Sequence, residues 1–411
     1  MAAVRGLLAH REFRLLFLGQ TASTIGDQVV RVALALYVTQ IGSPTDVGLV
    51  LAANAVPLLV FLLLGGVWAD RLPRHRLMLA ADAARGTLHA VLAVLILAGG
   101  VQIWQIVLIE AGFGTAEGFF RPAYTGLIPQ TVPPDRIQSA KAATSLTETL
   151  GGFVGPALAT LLVVGVGAGW AFAVDAATFA ISAAFLVPMR PEPRGHPAAP
   201  APLLRDLREG WSAVRDRSWV WVTIAAFSLE VLCSFALWMT LGPTVAADVH
   251  GSRALFGVLA AVMGVGTFAG AIIGFRWRPR YPLRDGIALV LVSPASTAAF
   301  ALGAPLAALV PMYLASGVGV ALFIVWWETA LAERIPPHLL SRVTSYDWLG
   351  SLGLMPVGFI VAGPLAAALG AREVLAAGAA LGFAALLGAV MTRPVRSLAR
   401  LEPAAPTGRR P

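Results

Sequence analysis

Of the 411 residues, 57% are hydrophobic and only 13% are charged, and the mean hydropathy is +0.77. A soluble domain carries about 25% charged residues, so this composition excludes a chain folded in water, which would expose far too much apolar surface. The formal charge of +8 arises from 30 basic against 22 acidic residues. The chain has one lysine, Lys141, and no basic–aromatic cluster outside the apolar stretches. The excess is therefore read as a surface for anionic lipid, and no nucleic-acid partner is expected.

Twelve apolar stretches follow one another, centred near Ile25, Leu58, Val91, Gly112, Val154, Phe179, Leu232, Ala261, Leu291, Val318, Val357 and Ala380. At about 1.5 Å rise per residue, each is long enough as a helix to cross a hydrocarbon core of about 30 Å. The first continues to about Val38, too long for the apolar region of a cleavable signal, so it is retained as a span. Basic residues fall on one set of connections. Arg5, Arg11 and Arg14 precede the first span; Arg71, Arg74 and Arg76 follow the second; Arg136 and Lys141 follow the fourth. The sixth connection holds six arginines and the eighth four, while Arg334 and Arg342 follow the tenth span and five more lie in the tail. The opposite connections hold only Arg253 and Arg372. Excess Lys/Arg in short loops marks the cytoplasmic side, so both termini are expected inside the cell membrane.

The spans group as six and six. The expected organisation is a first half, 1–188, a linker, 189–217, a second half, 218–392, and a tail, 393–411. The linker opens Pro-rich, at Pro188, Pro191, Pro193, Pro197, Pro200 and Pro202, and then turns amphipathic through Leu203, Leu204, Leu207, Trp211 and Val214. Weak repeats connect the halves: Gly48-Leu-Val-Leu-Ala-Ala with Gly257-Val-Leu-Ala-Ala, and Gly155-Pro156 with Gly363-Pro364. Such repeats place a substrate site between halves near the midplane. Gly151, Gly155 and Pro156 read as a close-packing helix face followed by a kink.

Ionisable groups inside spans are costly, so each needs a reason. Asp27, Glu110 and Glu230 lie deepest and are assigned to proton coupling or the substrate cavity. Arg31 stands one turn beyond Asp27 and is expected to pair with it, as Arg121 is with Glu117. That makes Asp27–Arg31 a positioning pair and Glu110 and Glu230 the proton carriers, because poor hydration favours the neutral carboxyl over the carboxylate. Asp82 and Arg85 are expected to face loops or neighbouring helices. Trp238, Trp326 and Trp327 offer flat apolar contact to a substrate, or else serve as interfacial anchors or core.

Other chemistries lack their residues. Lys141 follows Ala140, so no phosphate-binding Gly-Lys-Ser/Thr loop exists, and Gly264-Val-Gly266-Thr-Phe-Ala269 sits inside a span without a preceding strand. No G-x-S-x-G occurs, and the histidines (His10, His75, His89, His196, His250 and His338) show no metal-ligand spacing. Cys233 is the only cysteine. No enzyme activity, metal or cofactor is expected.

The connection Gly65-Gly66-Val67-Trp68-Ala69-Asp70-Arg71-Leu72-Pro73-Arg74-His75-Arg76 resembles the signature loop of the major facilitator superfamily. Gly66, Ala69, Asp70, Arg71 and Arg74 match; Pro73 replaces the second glycine. Gly151-x-x-x-Gly155-Pro156 is similar to the motif of the drug-antiporter branch. Phe120-Arg-Pro-Ala-Tyr-Thr-Gly-Leu-Ile-Pro and Tyr346-Asp-Trp-Leu-Gly-Ser-Leu look like the branch of enterobactin exporters and macrolide-efflux proteins. The resemblance implies an all-α, twelve-span membrane protein in two pseudo-symmetric halves. It implies a conformational gate at Gly66, Asp70, Arg71, Arg74, Glu117 and Arg121, with spans 1, 4, 7 and 10 lining the cavity. The function expected is proton-coupled efflux of a small molecule such as a drug, antibiotic, siderophore or secondary metabolite, by a monomer in the plasma membrane. The alternatives are an uptake symporter and a non-transporting sensor on the same fold.

Overall fold

The computed structural model describes residues 6–191, 203–274 and 276–400. Pro193, Pro197, Pro200 and Pro202 of the linker and Arg409 and Arg410 of the tail lie outside the described residues. Among the described residues every regular element is helical: α1 Arg11–Ile41, α2 Pro44–Arg71, α3 Arg74–Leu97, α4 Ile103–Leu127, α5 Ile137–Gly165 and α6 Ala168–Leu186 in the first half. The linker helix α7 is Leu203–Arg215. Then come α8 Ser218–Glu230, α9 Ala236–His250, α10 Ala254–Gly274, α11 Pro282–Val290, α12 Val292–Ala301, α13 Leu306–Arg334, α14 Pro337–Leu352, α15 Met355–Leu369, α16 Ala371–Met391 and the short α17 Arg393–Arg396.

Ten crossings are long and apolar enough by composition alone. The other two are α1 and α4, of 31 and 25 residues. They have the length to cross, but Asp27 and Arg31, and Glu110, Glu117 and Arg121, dilute their apolar character. Counted together, twelve crossings result.

Three crossings of the second half are interrupted. A π turn, Val231–Phe235, joins α8 to α9. The break between α11 and α12 falls at Leu291, ahead of Pro294, and that between α14 and α15 lies just before Pro356. A proline cannot donate to the carbonyl four residues back and crowds it, so the helix turns aside there. Pro156, expected to kink its helix, lies inside α5, which continues through it.

The connections differ at the two ends of the bundle. One set consists of short turns, and it contains every described residue with left-handed φ: Gly99, Gly167, Gly251, Gly303 and Gly370. Gly251 shows why: at φ +73° it ends α9 and returns its N–H to Ala247 O, a conformation a side chain would strain. At the same end Ser43 and Asp46 cap α2 reciprocally, and Pro44 fills its first position. The other set carries the basic residues and the linker. There α7 lies against α14, with Trp211 5.9 Å from Tyr346 between ring centres and Arg342 donating to Glu209.

The first six helices pack mainly on one another, as do α8–α16. Across the halves the main contacts are α2 with α15 and α5 with α10. At these seams the backbones nearly touch. Gly48 meets the carbonyl of Phe359, Gly363 meets Thr45, and Gly257 meets the Thr160 hydroxyl. All of these positions lie near the short-turn end. At the opposite end α14 packs on α7, α8 and α13 of its own half. The halves therefore close at the short-turn end and part toward the basic end. The weak repeat Gly48/Gly257 marks the two equivalent seams.

Candidate functional site: a cleft backed by buried charge

Four charged side chains of α1 and α4 lie near the cleft. Arg31 is exposed, and it makes no ion pair among the described residues. Arg121 is 45% exposed and donates to Glu117 Oε1 through Nε at 2.8 Å and Nη2 at 2.5 Å. This i,i+4 pair forms as its spacing predicts. The Asp27–Arg31 pair does not form. Asp27, 26% exposed, lies 3.5 Å from Arg85 of α3 instead. The physical reason is solvation. Arg31 keeps its hydration at the cleft, whereas Arg85 is 1% exposed and needs counter-charge.

Behind the cleft, α3 presents Asp82, Arg85 and His89 on one face, at i, i+3 and i+7, to the interior of the first half. Arg85 Nη2 donates to Asp82 Oδ1 at 2.5 Å, and its guanidinium lies over Phe120 and Phe179, at 4.1 and 4.5 Å from the ring centres. Asp82 Oδ2 accepts from Ser182, which accepts from Gln20. His89 reaches Asp175 of α6, and Asn54 of α2 donates to Glu110 Oε2 at 2.9 Å. Glu110 thus faces α2 and α3 within the half rather than standing alone in a cavity wall. Asp82 and Arg85 thus face neighbouring helices, as the sequence analysis expects, whereas His89 has no site role there. The i, i+3, i+7 spacing in α3 was the available signal, and it marks one helix face.

Glu230 ends α8 at the π turn and is buried, with no hydrogen-bond or ion-pair partner among the described residues. Gly382 of α16 packs against Glu230 and Ser234. Trp238, Trp326 and Trp327 are all buried, Trp238 in the core shared by both halves and Trp327 in one confined to the second half and the linker helix. Trp327 stacks on Phe323 and donates to Asp347 Oδ2 at 2.8 Å, so these rings serve packing.

Arg74 donates to the carbonyl of Gly126, tying the α2–α3 connection to the end of α4, and Arg71 is exposed. The surroundings of Gly66 and of the Asp70 side chain lie outside what the structure describes. Gly151 and Gly155 face Thr24 and Gln28, so α5 approaches α1 along that face.

A cleft between two six-helix halves, sealed at one end, is the geometry of alternating access. Solved structures share it. The nucleoside transporter NupG superposes with a TM-score of 0.73 at 14% identity, covering 94% of this chain and all of that one. A bacterial homologue of the human lysosomal transporter Spinster, inward-facing and unoccupied, gives 0.70 at 17% identity over 94% of this chain and 98% of that one. Among sequences, the enterobactin exporter EntS of Escherichia coli O1:K1 is 27% identical over 356 residues, 84% of this chain and 81% of the relative. EntS of Citrobacter koseri matches equally. The family model described as Major Facilitator Superfamily matches residues 16–355. The chain is a multi-pass membrane transporter, not an enzyme, and it belongs to the Major Facilitator Superfamily.

Proposed function

We propose that this transporter exports a small organic molecule from the cell in exchange for protons, working as a monomer. Both termini and the linker are cytoplasmic, because the basic connections share one end of the bundle. The single observation that carries the reading is the one-sided seam. With the halves touching at Gly48–Phe359, Gly363–Thr45 and Gly257–Thr160, the cleft opens toward the cytoplasm, the side from which an exporter loads. Export rather than uptake is favoured by the EntS relatives, whose name records export. Substrate class remains that of drugs, antibiotics, siderophores and secondary metabolites.

Proton coupling is supported by the carboxyls. An unpaired buried carboxylate costs several kcal/mol, and binding a proton removes that cost. Glu230 fits this description, and Glu110 has one carboxyl oxygen without a hydrogen bond. Asp27, paired with Arg85, orients the cleft side of α1. The units are 1–188 and 218–392, joined by 189–217 and followed by the tail 393–411. Gly66, Asp70, Arg71 and Arg74 act with Glu117 and Arg121 as the cytoplasmic gate.

The test is substrate-dependent proton flux in proteoliposomes across a compound panel that includes catechol-type siderophores. Protons moving opposite to a substrate support export. Protons moving with it replace export by symport, and no flux with any compound removes the proton-antiport reading.

A further inference from the structure

The buried groups of the first half form a unit that Glu110 taken singly does not reveal. His89 stands between two carboxyls from different helices. Its Nδ1 lies 2.5 Å from Asp175 Oδ2, and its Nε2 lies 3.5 Å from Glu110 Oε1. All three side chains are nine-tenths or more buried, and Phe113 stacks on the imidazole at 4.1 Å. The two contacts are unlike. The first is a close hydrogen bond. In the second, His89 Nε2 and Glu110 Oε1 face each other, yet neither has a hydrogen-bond partner.

Two facing atoms without a hydrogen bond are mismatched, both donors or both acceptors, so gain or loss of one proton at this pair makes the bond. Charge counting gives the direction. Asp175 and Glu110 as carboxylates around a neutral ring leave two negative charges; one proton on the ring leaves one. Among the described residues no free cation cancels it. On α3, Arg85 is already held between Asp82 and Asp27. On α4, Arg121 is bound by Glu117, and on α1, Arg31 is exposed. The neighbour from α2 is the neutral Asn54. On α6, Thr178 beside Asp175 is neutral, and the charged group nearest Asp175 from α1 is Asp27, which brings no positive charge.

We infer that His89, Asp175 and Glu110 form one buried proton-binding triad, in which an imidazolium is clamped by the Asp175 carboxylate and Glu110 takes and releases the coupling proton. This rests on the proton-antiport reading and deepens it. In the loaded form Glu110 Oε1–H faces Nε2–H without bonding. On release the proton leaves Oε1 for water, and the carboxylate accepts the hydrogen bond from His89 Nε2. No bond to carbon changes. The link to alternating access is Asn54: it holds Glu110 Oε2 from α2, six residues beyond Gly48, where α2 meets α15. Tightening of Glu110 toward His89 therefore pulls on a helix of the seam. His89 is a positioning residue, since the carried proton sits on its neighbour.

The test needs no substrate. Infrared difference spectra of the purified protein in nanodiscs count protonated carboxyls, and nitrogen NMR of labelled histidine reports the ring. Glu110→Gln should remove one protonated-carboxyl band. His89→Gln should add one, because two carboxyls then share no cation. His89 should show both nitrogens protonated. Unchanged bands in Glu110→Gln, or a neutral His89 ring, overturn the triad. If His89→Gln fails to fold, Glu110→Gln and the wild-type ring signal decide alone. Should the bands behave as stated while proteoliposomes show no pH-driven flux, the three groups still hold a buried proton, but its coupling role falls with proton antiport. Should flux be pH-driven with the bands unchanged, antiport stands and the triad falls.

Discussion

Substituting Gly48 tests whether the sealed end sets the conformational balance. A Cβ built there overlaps the Phe359 carbonyl oxygen and sits 3.0 Å from its carbon, where ordinary contact is at least 3.4 Å. The obstacle is backbone, so no rotamer change relieves it, and α2 and α15 must separate. Overpacking of this kind costs about 1–3 kcal/mol. The cost falls on the conformation in which the seam is closed and is relieved when it opens. The equilibrium should therefore move toward the opposite-facing state by roughly 5- to 150-fold in population ratio. Spin labels at Gln40→Cys and Leu369→Cys, in a Cys233→Ala background, place one probe on each side of the seam at exposed positions. Their distance distribution should gain a long component in Gly48→Ala. Gly152→Ala, with nothing within 4 Å of its Cβ, is the control and should leave the distribution unchanged. An unchanged distribution in Gly48→Ala would refute the argument that this contact holds the end closed.

Three further outcomes are expected. Cysteines at Ser43 and Arg215, both exposed, should separate under an impermeant maleimide on intact cells, Ser43 labelling and Arg215 not; the reverse pattern would invert the topology. Glu230→Gln should yield folded protein whose flux no longer responds to a pH gradient, measured in proteoliposomes, whereas an unaltered pH response would remove Glu230 as a carrier. Arg85→Gln should destabilise by about 3–5 kcal/mol, the usual loss on breaking a buried ion pair. Asp82 at 2.5 Å would then be left uncompensated, and the melting midpoint in detergent would fall sharply, an effect absent for the exposed Arg31→Gln.

The architecture was legible in the chain because a bilayer imposes it. Without water, every backbone group must bond within its own helix, so apolar length alone counts crossings, and arginine placement distinguishes the two ends. Even α1 and α4, whose charges lower their hydropathy, were countable by length. The Glu117–Arg121 pair was legible for a similarly local reason, since helix geometry fixes what lies four residues away. The repeat of Gly48 at Gly257 was visible too, although its meaning as a seam was not.

What tertiary structure decided was every partnership between helices. Asp27 passes over Arg31 for Arg85, because the arginine lacking water has the stronger claim on a carboxylate. His89 looked like one of six dispersed histidines until α4 and α6 brought Glu110 and Asp175 to either side of it. The three tryptophans read equally as substrate platforms or as core until packing buried them. Sequence spacing determines neighbours within a helix; which faces of different helices meet depends on how the whole bundle fills its interior, and the charged groups of this protein are paired there.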